Sequence, residues 1–183
     1  MLKKKINDYF LKIIGENSMV DKTSIKEMRM LVTPYPSFVH ISATADDVAK
    51  AFITNPNLKS VYVVDDKMHL LGDITLKRLI KHEFIDLVPS SFEYFDALEF
   101  IGRKTAEDLM TSATYVKDTD TLKEAFVKMY EHDTEELPVV DDDNHLIGNI
   151  DIIGLLTYLI EKKEKKANNT FLQLTINRPF LRT

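Results

Sequence analysis

Two groupings of side chains have the types and spacing to do chemistry. The first is Thr75 with Lys77 and Arg78, a hydroxyl followed closely by two cations. Such a set suits a phosphate, and Arg78 could pair with it through two parallel N–H donors. The second is acidic: Asp141-Asp142-Asp143-Asn144, then Asp151. The Asp run has part of the spacing of a calcium loop but lacks its glycine and terminal glutamate, so it reads as a polar turn. His69 and His145 are possible metal ligands, but no second ligand follows at a suitable spacing, and no metal is expected. Plainer roles compete throughout. Thr75 and Asp151 are good helix N-caps, and Lys77 and Arg78 fit a solvated helix face. There is no Ser/His/Asp spacing, no phosphate loop of the Walker kind and no helical pair of metal-binding histidines, so no catalytic residue is assigned and no enzyme activity is expected.

Composition narrows the classes further. The chain has 183 residues, 24 Lys and Arg against 29 Asp and Glu, a net charge of −5 and no cysteine. That length suits one domain or two small ones. An acidic balance without a basic stripe argues against nucleic acid. The absence of cysteine removes disulfides and thiolate metal sites. The longest apolar run, Ile152 to Ile160, is too short to span a membrane and contains Gly154, Thr157 and Tyr158. Lys3 to Lys5 are followed by Asn7 and Asp8, which break what would be the apolar part of a signal peptide. The expectation is a cytoplasmic protein.

The elements that must position these residues come in two copies. Residues 63–74 read VVDDKMHLLGDI and residues 139–150 read VVDDDNHLIGNI, with eight of twelve positions identical at an offset of 76. Upstream, Ala51-Phe52 parallels Ala125-Phe126 at an offset of 74. Each copy predicts a short extended stretch (Phe38 to Ile41; Thr114 to Val116), an amphipathic helix (Ala45 to Thr54; Thr121 to His132) and an apolar strand starting at Val61 or Leu137. An Asp-rich turn and a second strand complete a hairpin (His69 to Ile74; His145 to Ile150), and a further helix starts at Thr75 or Asp151. Capping boxes at Ser24–Glu27 and Thr105–Asp108 open a helical turn before each copy. Residues 1–14, and Phe92 to Ile101 between the copies, also predict amphipathic helices.

With its Leu137-Pro138-Val139-Val140-Asp141 run through Gly148, and Ala106 to Thr111 at its opening, the second copy resembles a CBS domain. The whole repeat is similar to a tandem CBS pair, or Bateman module. Copy one departs from the pattern, with Val61-Tyr62 in place of Leu-Pro and a longer opening loop at Thr33-Pro34-Tyr35-Pro36. The resemblance implies an α/β (α+β) fold of two strand-helix-strand-strand-helix domains packed about a pseudo-twofold axis. The expected division is an N-terminal helical segment (1–23), domain one (24–84), a helical linker (85–103), domain two (104–163) and a tail (164–183). It also implies a non-catalytic regulatory module with clefts for AMP, ADP, ATP or a related adenosine ligand, commonly paired as a homodimer.

The family's nucleotide motif is a glycine, then Thr or Ser three positions on, then Asp three further. Copy one carries Gly72, Thr75 and Arg78, keeping the hydroxyl but losing the ribose carboxylate. Copy two carries Gly148, Asp151 and Gly154, placing a carboxylate where a phosphate would sit. Two like charges that close cost on the order of several kcal/mol at a partly buried site, so Asp151 is expected to reject phosphate. The resemblance further implies that apolar strand residues flank the adenine, here Ile41, Tyr62 and Pro138. The expected module is asymmetric, with its anion site in copy one built on Thr75, Lys77 and Arg78. The alternative is an interaction or structural CBS dimer whose nucleotide sites have decayed.

Overall fold

The computed structural model describes residues 22–33, 36–83, 105–158, 160, 161 and 164. The helices expected at 1–14 and at Phe92 to Ile101, and the tail from 167, lie outside them. Each repeat forms a three-stranded sheet. In the first, β1 (Phe38–His40) runs parallel to β2 (Ser60–Val64), which pairs antiparallel with β3 (Leu70–Thr75). In the second, β4 (Val116–Lys117), β5 (Glu136–Val140) and β6 (Leu146–Asp151) repeat that order and those directions. Helix α1 (Ala45–Thr54) joins β1 to β2, and α2 (Leu76–Glu83) follows β3. Between the repeats lies α3 (Ala106–Leu109); α4 (Leu122–Glu131) joins β4 to β5, and α5 (152–158) follows β6.

Local chemistry fixes these boundaries. Thr44 and Thr121 cap α1 and α4 in full capping boxes, with Asp47 and Glu124 reaching back to the cap amides. The Asp-rich turns close through their first aspartate. Asp65 Oδ1 accepts from the amides of Lys67 and His69, both at 2.9 Å, and Asp141 Oδ1 accepts from those of Asp143 and His145 at 3.0 and 2.8 Å. Both turns then use a left-handed residue, Met68 (φ 68°) and Asn144 (φ 67°), one repeat offset apart. Asparagine tolerates that region better than methionine does.

Alternation along the central strands divides the core. Val61 and Val63 face α1 and join Val48, Phe52, Ile74 and Leu79 in one cluster. Leu137 and Val139 do the same in the second repeat, with Leu122, Met129, Ile150 and Leu155. The opposite face of each central strand supplies Tyr62, Val64 and Val140, which meet Leu70 and Leu146 in a third cluster between the repeats. Both faces of β2 and β5 are therefore covered, which is why these strands read as unbroken apolar runs.

The segment ahead of each repeat crosses to the other one. Ile25 is fully buried in the second repeat's core, and the amides of Ile25 and Lys26 donate to the carbonyls of Asp120 and Asp118 at 2.9 and 2.8 Å. Reciprocally, Ala106 and Leu109 complete the first core, and the amides of Ala106 and Glu107 donate to Ala43 and Ile41 at 2.8 and 3.0 Å. Thr33 pairs with Asn149, and Thr111 with Asp73. Gly72 and Gly148 admit these crossings. A Cβ on Gly72 would strike the Thr111 carbonyl and Met110, and one on Gly148 would strike Val32 and the Thr33 carbonyl.

Candidate ligand-binding seam

Residues separated by the repeat offset of 76 meet one another, which traces the pseudo-twofold axis through the molecule. At one end His69 and His145 stack, with ring centroids 4.8 Å apart and planes 15° from parallel. Each imidazole bonds through Nδ1 to the aspartate that closes its own turn, Asp65 at 2.8 Å and Asp141 at 2.9 Å. The His69 hydrogen bond holds the Asp65 carboxyl down at about 2, and the His145 amide is the main cause lowering that of Asp141. Around the stack, the Leu70 amide donates to Asn144 O at 3.0 Å and the Leu146 amide to Met68 O at 2.9 Å.

At the other end the two members of each offset pair differ. Lys59 Nζ lies 3.3 Å from Glu135 Oε2. Ser60 donates from its amide and hydroxyl to Glu136 Oε1 at 3.2 and 3.1 Å. Two clefts open on either side of this pairing. Cleft one, about 720 Å³, is lined by Lys59, Asp73, Thr75, Tyr130, Asp133 and Glu135, among others. Cleft two, about 460 Å³, is lined by Lys59, Glu135, Glu136, Asp151, Gly154 and Thr157, among others. Burial pushes the Asp73 carboxyl up to about 6, and burial likewise raises that of Glu136.

A CBS-domain family model matches residues 25–84 and 106–161. The chain belongs to the CBS-domain family. Inosine-5'-monophosphate dehydrogenase of Helicobacter pylori strain 26695 is 34% identical over 132 residues, which is 71% of this chain and 24% of that enzyme. The chain thus spans about a quarter of the length of the curated relatives it matches. Among solved structures, CBSX2 in complex with AMP is 24% identical, with a TM-score of 0.61 over 76% of this chain and 98% of that one. A CBS domain-containing protein from Thermotoga maritima is 23% identical, with a TM-score of 0.59 over 76% of this chain and 95% of that one. A CBS pair solved with 5'-methylthioadenosine and S-adenosylmethionine is 20% identical, with a TM-score of 0.56 over 77% of this chain and 98% of that one. At these identities the structures show the shared fold.

Within this CBS pair, the residues singled out in the sequence separate. Thr75 lines cleft one, with its Oγ1 also accepting from the Arg78 amide at 3.2 Å. Asp151 lines cleft two, and its Oδ1 caps α5 by accepting from the Gly154 amide at 2.7 Å. Both side chains therefore cap a helix at a cleft. The Arg78 guanidinium donates through Nε to the Leu109 carbonyl on the crossing segment and faces Asp73. Lys77 is exposed on α2, and Ile41 packs partly buried on the first core. Tyr62 and Pro138 are buried on seam-facing positions of β2 and β5. The Tyr62 hydroxyl lies near Asn149 and Glu136 without a well-formed hydrogen bond, and burial raises its pKa.

Besides the buried Asp73, the residues that pair across the seam, Lys59, Ser60, Glu135 and Glu136, are not marked by any motif. Their signal was position. Each stands just before the apolar core of its central strand, at matching places in the two copies.

Among the described residues, no helix is long and apolar enough to cross a membrane, and no group of three or more His, Cys, Asp or Glu is placed to hold a metal ion.

Proposed function

We propose that this CBS pair is a non-catalytic regulatory module that binds an adenosine ligand in the clefts flanking its axis. The observation carrying this reading is the seam itself. Two similar half-shells leave a cleft of about 720 Å³ at the N-terminus of α2, where the Thr75 hydroxyl is presented, and that volume is in the range of small-molecule sites. AMP in CBSX2, and 5'-methylthioadenosine with S-adenosylmethionine in another CBS pair, give the ligand class to try first. In cleft one, Thr75 would meet the ligand's phosphate or ribose, while Arg78 braces the crossing segment beside it and Lys77 adds positive potential. Binding must favour one arrangement of the repeats over another for occupancy to be reported.

Homodimer formation belongs to the same proposal. Ile80 on α2 and Leu156 on α5, one repeat offset apart, are 47% and 46% exposed, and Ile153 is 67% exposed. These helix faces suit a second copy.

The acidic lining supports a second reading, an interaction module whose clefts no longer take nucleotides. A thermal-shift panel of adenosine, AMP, ATP, 5'-methylthioadenosine and S-adenosylmethionine separates the two. A ligand at ~100 times its Kd adds about 2.7 kcal/mol, or about 5–10 °C for a chain of this size. Binding predicts such a shift with at least one ligand. No shift at millimolar concentration would select the second reading.

A further inference from the structure

Among the described residues, the two clefts share one lining cation. Lys59 and Glu135 line both of them, and their ion pair stands on the boundary. The remaining charged residues described in the linings are carboxylates, Asp73 and Asp133 in cleft one and Glu136 and Asp151 in cleft two. Arg78, near cleft one, is engaged by the Leu109 carbonyl and faces Asp73. The Lys59 and Glu135 side chains are 63% and 68% exposed, so their pairing is weak and rearranges readily. Lys59 also carries a compact charge on a flexible stem, able to swing to either side.

A phosphate entering one cleft would draw Lys59 toward it. Glu135 would then lose its cation while still facing the other cleft, whose described charged residues would all be carboxylates. A second phosphate there would find no cation among the described lining residues, only carboxylates and neutral groups. Building on the adenosine-cleft reading, we propose that Lys59 is the shared phosphate contact, and that the module takes one anionic adenosine ligand at a time while a neutral nucleoside fills both clefts. The coupling is reciprocal: whichever cleft fills first weakens the other for an anion.

The test uses the full chain, with AMP and adenosine as probes. Equilibrium dialysis counts bound ligand, and the amide NMR signals of Thr134 in cleft one and Gly154 in cleft two report where it sits. The expected result is two adenosines but one AMP per chain, with the second AMP at least tenfold weaker than the first. Lys59→Met should weaken AMP at least tenfold and adenosine less than twofold, and Lys59→Arg should restore AMP. Two AMP molecules bound equally well, or AMP affinity unchanged in Lys59→Met, would overturn the proposal and leave the cleft reading standing. If neither probe moves either amide, the cleft reading fails and this inference with it.

Discussion

Asp73 occupies the place that Asn149 holds in the second repeat. The two residues differ in charge but share the pairing with a crossing threonine. Burial raises the folded-state pKa of Asp73 from 3.8 to about 6, so the folded chain holds this proton more tightly than the unfolded chain. The stability gained by protonation is fully present below about pH 4 and is lost as pH rises through about 6. Asp73→Asn should therefore stabilise the protein at pH 7 by about 1–2 kcal/mol, allowing for partial exposure of the carboxylate. It should also flatten the pH dependence between about 4 and 6, as measured by urea unfolding across that range. An unchanged slope would mean that Asp73 ionises freely in the fold. The sequence made Thr75 and Asp151 visible because cap chemistry has a local signature. It did not reveal Asp73 or Glu136, whose character comes from burial against the other repeat.

At the scale of elements, the exchanged segments decide how the repeats depend on each other. Ile25 precedes the first repeat in sequence but is fully buried in the core of the second. Ile25→Ala should cost about 2–5 kcal/mol, as large-to-small changes at packed sites do. Hydrogen exchange should localise the damage to β4, α4 and β5 rather than to β1–β3. Protection lost mainly in β1–β3 would contradict the exchange. Most element boundaries were legible in the sequence: α1 was expected at Ala45 to Thr54 and is found there. The second strand of each hairpin runs one residue further than expected, to Thr75 and Asp151, so those residues end a strand and cap a helix at once. The exchange itself was not legible. Capping boxes at Ser24 and Thr105 announce a helical turn but say nothing about which core it packs on, because that contact is set by tertiary geometry.

At the scale of the whole molecule, duplication explains both the symmetry and its breaking. Residues on a twofold axis meet their own counterparts, so an unchanged duplicate would set Lys against Lys or Glu against Glu. Lys59 with Glu135 and Ser60 with Glu136 are complementary instead, while the His69–His145 stack keeps identical partners. Complementary pairs favour joining unlike repeats within one chain. The proposal assigns the exposed faces of α2 and α5 to a second copy. Ile80→Glu combined with Leu156→Glu should convert a dimer into a monomer in light scattering, with little loss of thermal stability per chain beyond that of dissociation. A wild-type chain that is monomeric at high micromolar concentration would refute that part of the proposal.

The proposed function stands or falls with a small adenosine ligand in the seam. Crystals grown with millimolar AMP or adenosine test it most directly. Ligand density is expected in the cleft beside Thr75, within contact distance of Thr75 or Lys59. Density confined to the outer surface, or clefts filled only by solvent at saturating ligand, would contradict it.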